Sequence, residues 1–420
     1  MKNTLFLACA AFILSANFAT AQSLHCGTSE KMQERLAQDS EFAQIRQDIE
    51  DFTERYLLEH NNANANREVV TIPVVVHVVY NTTSENISDA QVQSQIDVLN
   101  EDYRAQNPDI SGVPFIWTPR VADCEIQFAL AVRSPEGSTT NGITRTETTV
   151  SNWGGSDNVK FTSQGGHDAW PADDYLNIWV CNIGSGLLGY AYQPGINAAL
   201  DGVVIGHRYF GRIGSLSNSY DEGRTATHEI GHYFNLDHLW GPGGSNSNCT
   251  ADDNVSDTPR QTGPNYGCNH TYPEETCGTG INSDMFNNYM DYGNDECLFF
   301  FTEGQKARML AVVNGFRSGL KDSDALTPVV GINEPSLSSS IIVYPNPAND
   351  FLNIRIDQAM NAAVDIQIVD MSGRLVYQET SVKLGYSNYQ IMLNELPTGA
   401  YVLRLQTDEE LVTKQINIIR

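Results

Sequence analysis

His228-Glu229-Ile230-Gly231-His232-Tyr233-Phe234-Asn235-Leu236-Asp237-His238 gathers three of the chain's nine histidines into one short stretch. On a helix, residues four apart share a face, so His228 and His232 can reach one point with Glu229 beside it. The helix must stop near Asn235, and the chain must turn for His238 to return to that point. A solvated helix has no use for this spacing. Three imidazoles and a water make a tetrahedral zinc site with an open position. Zinc lowers the pKa of such a water to about 7, and Glu229 is placed to take its proton and pass it to a leaving amine.

Length and charge bound this reading. At about 150 residues per domain, a chain of 420 residues is expected to hold two or three domains. A formal charge of −26 and a pI near 4.5 argue against nucleic acid and anionic membrane surfaces as partners, because both repel such a chain. Lys2, the apolar run Leu5–Leu14 and the small-x-small Ala19-Thr20-Ala21 make residues 1–21 a signal peptide. The run is too short to span a bilayer, and no other stretch is apolar enough, so no transmembrane segment is expected. Cys9 leaves with the signal, and His25 before Cys26 does not suit a lipid-acceptor site. Export permits disulfides.

Met32, Leu36, Phe42, Ile45, Ile49, Phe52 and Leu57 recur at helical spacing, predicting a helix over 29–60. The polar linker Asn61-Asn62-Ala63-Asn64-Ala65-Asn66-Arg67 follows, so 22–66 reads as a prosegment. Strands expected at 71–80, 124–132, 175–183 and 201–207 alternate with helices at 88–103, 224–234 and 302–320. That alternation predicts an α/β (or α+β) sheet domain over 67–320. Ser88 is placed to cap the 88–103 helix. Residues 321–340 read as a second linker. Beyond it, over 341–420, strands of period two at 351–356, 364–369 and 401–406, separated by turns, predict an all-β sandwich.

The zinc motif, with Asn235 where glycine is usual, resembles the long consensus of the metzincin metallopeptidases. Asparagine is the next best residue for a left-handed backbone. Asn288-Tyr289-Met290-Asp291-Tyr292 resembles the methionine turn of that group. The likeness implies Met290 as the base of the site and Tyr292 as the residue that stabilises the tetrahedral intermediate. Within the metzincins the chain resembles the pappalysin family. The zinc motif, Asp253-x-Val255-x-Asp257-Thr258-Pro259, and Tyr289–Tyr292 followed by Cys297 and Phe301-Thr302 carry the likeness, over roughly residues 69–320. It implies a metzincin-like fold with a twisted mixed sheet above, a more irregular half below, and the zinc helix in the cleft between. It also implies an endopeptidase acting on proteins and peptides.

Asp252, Asp253 and Asp257 crowd one loop, and repelling carboxylates there suggest a hard cation. The resemblance implies calcium on Asp253, the Val255 carbonyl and Thr258; the loop's own composition adds Asp257. Cys249, Cys268, Cys277 and Cys297 allow three pairings, and the resemblance implies Cys249–Cys277 with Cys268–Cys297. Cys124 and Cys181 stay open between a pair and two buried thiols. Cys26 in Leu24-His25-Cys26-Gly27-Thr28 resembles the cysteine switch of metzincin zymogens. Its thiolate would fill the fourth zinc position and keep the enzyme latent until the Asn-rich linker is cut. Microbial pappalysins favour a basic residue after the cut. Asp295 and Glu296 are expected at that pocket's floor, where they would pair with Arg or Lys. Asn66–Arg67 then becomes a self-cleavage bond. Leu187–Gln193 is expected as an edge strand that pairs with extended substrate.

Val343-Tyr344-Pro345-Asn346-Pro347-Ala348, Asp370-x-Ser372-Gly373 and Leu396-Pro397-Thr398-Gly399-Ala400-Tyr401 resemble the sorting domain of the type IX secretion system. The likeness implies that machinery as a partner, passage across the outer membrane to the surface or medium, and removal of the domain. A monomer is expected. Two other functions compete with peptide hydrolysis. A surface adhesin on a peptidase scaffold predicts a broken catalytic set, yet Glu229, the three histidines, Met290 and Tyr292 are all present. A zinc hydrolase of non-peptide bonds would have no need of a prosegment or an edge strand.

Overall fold

Val70–Tyr80 is apolar on both faces, and a strand of that kind needs cover on both sides. In a computed structural model it lies inside a seven-stranded sheet. The structure describes residues 25–60, 68–184, 186–242, 248–329, 341–356, 363–384, 388–407 and 411–420. The signal peptide, the Asn-rich linker with its Asn66–Arg67 bond, and most of the 321–340 linker lie outside the described residues. Two compact units divide at Val329 and Val330.

The first unit runs β1 (His25–Cys26), α1 (Thr28–Gln38), α2 (Ser40–His60), β2 (Val70–Tyr80), α3 (Asp89–Tyr103), β3 (Ile126–Leu130) and β4 (Ile143–Glu147). It continues with β5 (Leu176–Cys181), β6 (Leu187–Ala191), β7 (Val203–Gly206), α4 (Arg224–Tyr233), α5 (Glu303–Asn314) and α6 (Ser318–Asp322). The strand order is β1-β6-β7-β5-β2-β3, with β4 also on β2. Every pairing is parallel except β6 with β7. This is the mixed sheet expected.

Side chains of β2 alternate between layers. Ile72, Val74, Val76 and Val78 pack in the main core with Val92, Ile96 and Leu99 of α3 and Ala226 and Ile230 of α4. On the other face, Val79 joins Trp179, Trp153 and Val159, along with Met32 and Phe42 from α1 and α2. The Ser88 hydroxyl accepts the Gln91 N–H at 3.1 Å and caps α3. Two long predicted helices are each divided. Asp39 is extended, and its carboxylate accepts the N–H groups of Glu41 and Phe42 at 3.1 and 3.0 Å, ending α1 and starting α2. Gly315, at φ −119° and ψ −102°, separates α5 from α6. β4 was not expected: Ile143-Thr144-Arg145-Thr146-Glu147 carries one apolar residue. Below α4, long stretches without helix or strand are stapled by Cys249–Cys277 and Cys268–Cys297. Cys124 and Cys181 are separate buried thiols.

The second unit runs β8 (Ile341–Tyr344), β9 (Phe351–Ile356), β10 (Ala363–Asp370), β11 (Leu375–Lys383), β12 (Tyr389–Met392), β13 (Gly399–Gln406) and β14 (Leu411–Ile418). A four-stranded sheet β11-β10-β13-β14 and a three-stranded sheet β12-β9-β8 share a core of Leu352, Ile354, Ile366, Ile368, Leu403 and Leu405. This is the all-β architecture expected. No helix among the described residues is long and apolar enough to cross a membrane.

Candidate active site and metal centre

All of α4 is buried, so its polar side chains have reason to be inside. The helix closes with paired bonds: Asn235 N–H to His232 O at 2.9 Å and Leu236 N–H to Gly231 O at 3.0 Å. Asn235 takes φ 74°, the left-handed conformation the turn requires. The chain reverses there and brings His238 back. The Nε2 atoms of His228, His232 and His238 lie 3.1 Å from one another in all three pairs.

Two outer partners fix the tautomers. His228 Nδ1 lies 2.7 Å from Tyr289 O, and His232 Nδ1 lies 2.8 Å from Leu236 O. A carbonyl only accepts, so Nδ1 carries the hydrogen and Nε2 presents a bare lone pair. Burial lowers the pKa of all three rings, that of His228 to about 4, which keeps them neutral. Converging lone pairs repel unless a cation lies between them. Zinc–nitrogen bonds of about 2.0–2.1 Å set tetrahedral neighbours roughly 3.3 Å apart, close to the observed spacing. The donor set therefore fits zinc.

Cys26 approaches from the other side. Its Sγ and the three imidazole nitrogens all lie within 4.8 Å of one another. β1 runs parallel to β6 with Cys26 opposite Gly189, and Gly27 N–H donates to Gly189 O at 2.9 Å. Cys26 Sγ stands 3.4 Å from Glu229 Oε2, which also accepts the Thr28 hydroxyl at 2.8 Å. Glu229 Oε1 is buried with no hydrogen-bond partner among the described residues. Burial raises Glu229 to about 8, and burial followed by the Glu229 carboxylate pushes the Cys26 thiol up. The Tyr292 hydroxyl donates to Cys26 O at 3.3 Å. Met290 is fully buried beneath α4. A Cβ at Gly231 would lie 2.5 Å from its sulfur, so any larger residue there must displace the Met290 side chain.

Beside the site, one cavity is lined by His228, Glu229, Tyr292, Arg224 and Asp295, among others. Asp295 is buried and accepts the N–H groups of Glu222 and Arg224 at 2.9 and 3.1 Å. Burial raises it to about 7. The Arg224 guanidinium is already paired with Asp102 and Asp109. Glu296, expected on the pocket floor with Asp295, is instead exposed and not among the cavity's lining residues. The tight turn Asp295–Cys297 sends the two neighbouring side chains apart.

The acidic loop divides in a similar way. Thr258 Oγ1 lies 2.8 Å from both Asp253 carboxylate oxygens and 2.9 Å from Val255 O. One hydroxyl proton cannot serve three acceptors, so these oxygens form a cluster that could hold a hard cation. Asp257 does not join it. Its carboxylate accepts from Thr302 Oγ1 at 2.7 Å and Gly304 N–H at 3.0 Å, at the start of α5.

Several contacts went unread in the sequence. Thr28 and Ser29 follow Cys26-Gly27, and the Ser29 hydroxyl lies 3.0 Å from His238 Nδ1. Farther along, α2 grips the zinc turn. Arg46 donates to Asn235 Oδ1 at 2.6 Å, Asn235 Nδ2 donates to Glu50 Oε1 at 3.0 Å, and Glu50 pairs with the buried Arg308. Arg308 in turn donates to Asn235 O at 2.8 Å. Charged residues on an amphipathic helix read as a solvated face, and nothing in their spacing marked Arg46 as buried or Glu50 as half-buried.

The fold and the site define a zinc metalloendopeptidase. Residues 161–314 match the family described as pregnancy-associated plasma protein-A, and residues 342–419 match the secretion system C-terminal sorting domain. An extracellular metalloprotease of Arthroderma otae is 33% identical over 258 residues, 60% of this chain and 80% of that protein. One from Pyricularia oryzae is 31% identical over 328 residues, 75% of this chain and 97% of that protein. Among solved structures, mature mirolysin of Tannerella forsythia in complex with a cleaved peptide is 47% identical, covering 62% of this chain and 98% of its own, with a TM-score of 0.59. A promirolysin mutant from that organism is 42% identical, covering 71% and 97%, with a TM-score of 0.65. The chain belongs to the pregnancy-associated plasma protein-A family of metallopeptidases, the pappalysins, and carries a type IX secretion sorting tail that makes it an exported protein.

Proposed function

We propose that the chain is made as a latent endopeptidase. Residues 1–21 are its signal peptide, 22–66 its prosegment, 67–320 its catalytic domain, 321–340 a linker and 341–420 the sorting domain. The observation that carries this reading is the convergence of Cys26 Sγ with the Nε2 atoms of His228, His232 and His238. The likeness to promirolysin supports it. Those three histidines would hold the zinc in the mature enzyme, with Cys26 as fourth ligand in the latent one. When bound, zinc polarises the substrate carbonyl and lowers the pKa of a water to about 7.

The chain's own groups do the rest. β6 offers an edge to extended substrate where β1 now pairs. Glu229 acts as general base, taking the proton of the attacking water at Oε2 and returning it to the leaving amine. The Tyr292 hydroxyl, which now meets the Cys26 carbonyl, donates to the substrate oxygen as charge grows there. Met290 supports the base of the site. Asp295 gives the cavity an acidic wall, which selects Arg or Lys after the scissile bond. Glu296, being exposed, has no part in that selection. Calcium sits on Asp253, Val255 O and Thr258, with Asp257 fastening the loop to α5. The enzyme works as a monomer.

The test is to let the purified full chain mature, incubate it with a mixed protein digest, and identify new N-termini by mass spectrometry beside Glu229→Ala. Cuts before Arg or Lys that vanish in the variant are expected. Cuts before other residues would keep the peptidase and remove the role of Asp295. No cuts, with zinc bound and Cys26 gone, would overturn the proposal.

A further inference from the structure

We propose that Trp240 is the positioning residue that holds His238 in place once the prosegment has left, an inference that rests on the peptidase reading above. The three imidazoles are not held alike. His228 and His232 are oriented by carbonyls of Tyr289 and Leu236, groups that stay with the catalytic unit. His238 has its Nδ1 against the Ser29 hydroxyl, three residues past Cys26 on the same short segment. Whatever withdraws Cys26 from the site withdraws Ser29 with it. His238 alone then loses its outer hydrogen-bond partner on activation.

What remains on His238 is a ring stack. The Trp240 ring is 2% exposed and lies face to face with the His238 ring, centroids 4.6 Å apart and planes 8° from parallel. Tyr292 meets both rings edge-on, each at 4.9 Å. The stack fixes the plane of the imidazole, and the Tyr292 edge limits its swing within that plane. Outer hydrogen-bond partners of metal-bound histidines commonly alter metal affinity by about 10–100-fold, and after maturation the stack is what holds the His238 ring in place of such a partner. That dependence should be masked in the proenzyme, where Ser29 orients the ring and Cys26 adds a ligand, and should appear after maturation.

The experiment follows zinc release to a chromogenic chelator from wild type, Trp240→Leu, Trp240→Phe and Ser29→Ala, each as full-chain proenzyme and after maturation. Cobalt-substituted samples are read by visible absorption for ligand geometry. Matured Trp240→Leu is expected to release zinc at least about tenfold faster than matured wild type, with an altered cobalt spectrum. The flat ring of Trp240→Phe should keep release within about threefold, and every proenzyme should match wild type within about threefold. Equal release from matured wild type and Trp240→Leu would overturn the proposal. So would equal acceleration in both forms, which would mean general loosening, and so would Trp240→Phe behaving like Trp240→Leu. If Trp240→Leu does not fold, Ser29→Ala decides: tenfold faster release from that proenzyme would assign the ring to Ser29 and reject the stack. Wild type without zinc in either form would instead refute the underlying peptidase reading, and this inference with it.

Discussion

A methyl group at residue 231 would lie 2.5 Å from the Met290 sulfur, and that sulfur is fully buried under the helix that carries His228 and His232. Gly231→Ala should therefore cost about 1–3 kcal/mol through overpacking, read as a lower unfolding temperature of the proenzyme. An unchanged melting curve would mean that Met290 yields easily. Asp295, on the cavity wall, is the residue proposed to select the side chain after the cut. Above pH 7, where the raised Asp295 carboxyl is ionised, Asp295→Asn removes the charge from the cavity wall, so kcat/KM for substrates with Arg or Lys after the cut should fall about tenfold, or about 1.4 kcal/mol. Substrates with alanine there should be unaffected, and a parallel loss on both would show a structural defect. At this scale the convergence of His228, His232 and His238 was legible because their spacing is itself the geometry. Glu296 and Asp257 were misjudged because adjacency in sequence does not tell which way a side chain turns. Ser29 and Trp240 carried no signal beyond lying near Cys26 and His238.

Among the elements, α2 has the least obvious task. Its Glu50 touches Arg308, Arg46 and Asn235 together, and Asn235 is the residue around which His238 turns back. Glu50→Ala would strand the Arg308 guanidinium, whose side chain is 1% exposed against 24% for Glu50. Allowing for that solvent access, the loss should be about 1–2 kcal/mol. The measurable consequence is faster activation of the proenzyme, with the matured enzyme unchanged because the proposed maturation at the 61–67 linker removes Glu50. A matured enzyme that also changed would contradict the assignment. Helical periodicity announced α1 and α2 as one helix, since apolar residues recur at roughly helical spacing on both sides of Asp39. What divides them is a side-chain cap, which period alone does not register. β2 was legible for the opposite reason: a run of valines has few alternatives to a buried strand.

For the whole molecule, the pattern shift from alternating helix and strand to strands of period two divided the chain correctly into a mixed-sheet unit and an all-β unit. The region between α4 and α5 was least legible, because loops held by two disulfides and a cluster of oxygens follow no period. The calcium proposed there should matter to stability. Stripping calcium from the matured enzyme should lower its unfolding temperature, by an amount worth about 2–3 kcal/mol at saturating calcium. Asp253→Ala should abolish that calcium response, while Asp257→Ala should lower stability and leave the response in place. A calcium response that survived Asp253→Ala would move the ion elsewhere.

The central claim is that one metal is shared between three histidines and a cysteine that later departs. X-ray absorption at the zinc edge of the full-chain proenzyme, repeated after maturation, reads that directly. Three nitrogen neighbours and one sulfur in the proenzyme, with the sulfur replaced by a lighter atom on maturation, are the result this account predicts. A proenzyme whose zinc has no sulfur neighbour, or that binds no zinc, would contradict it.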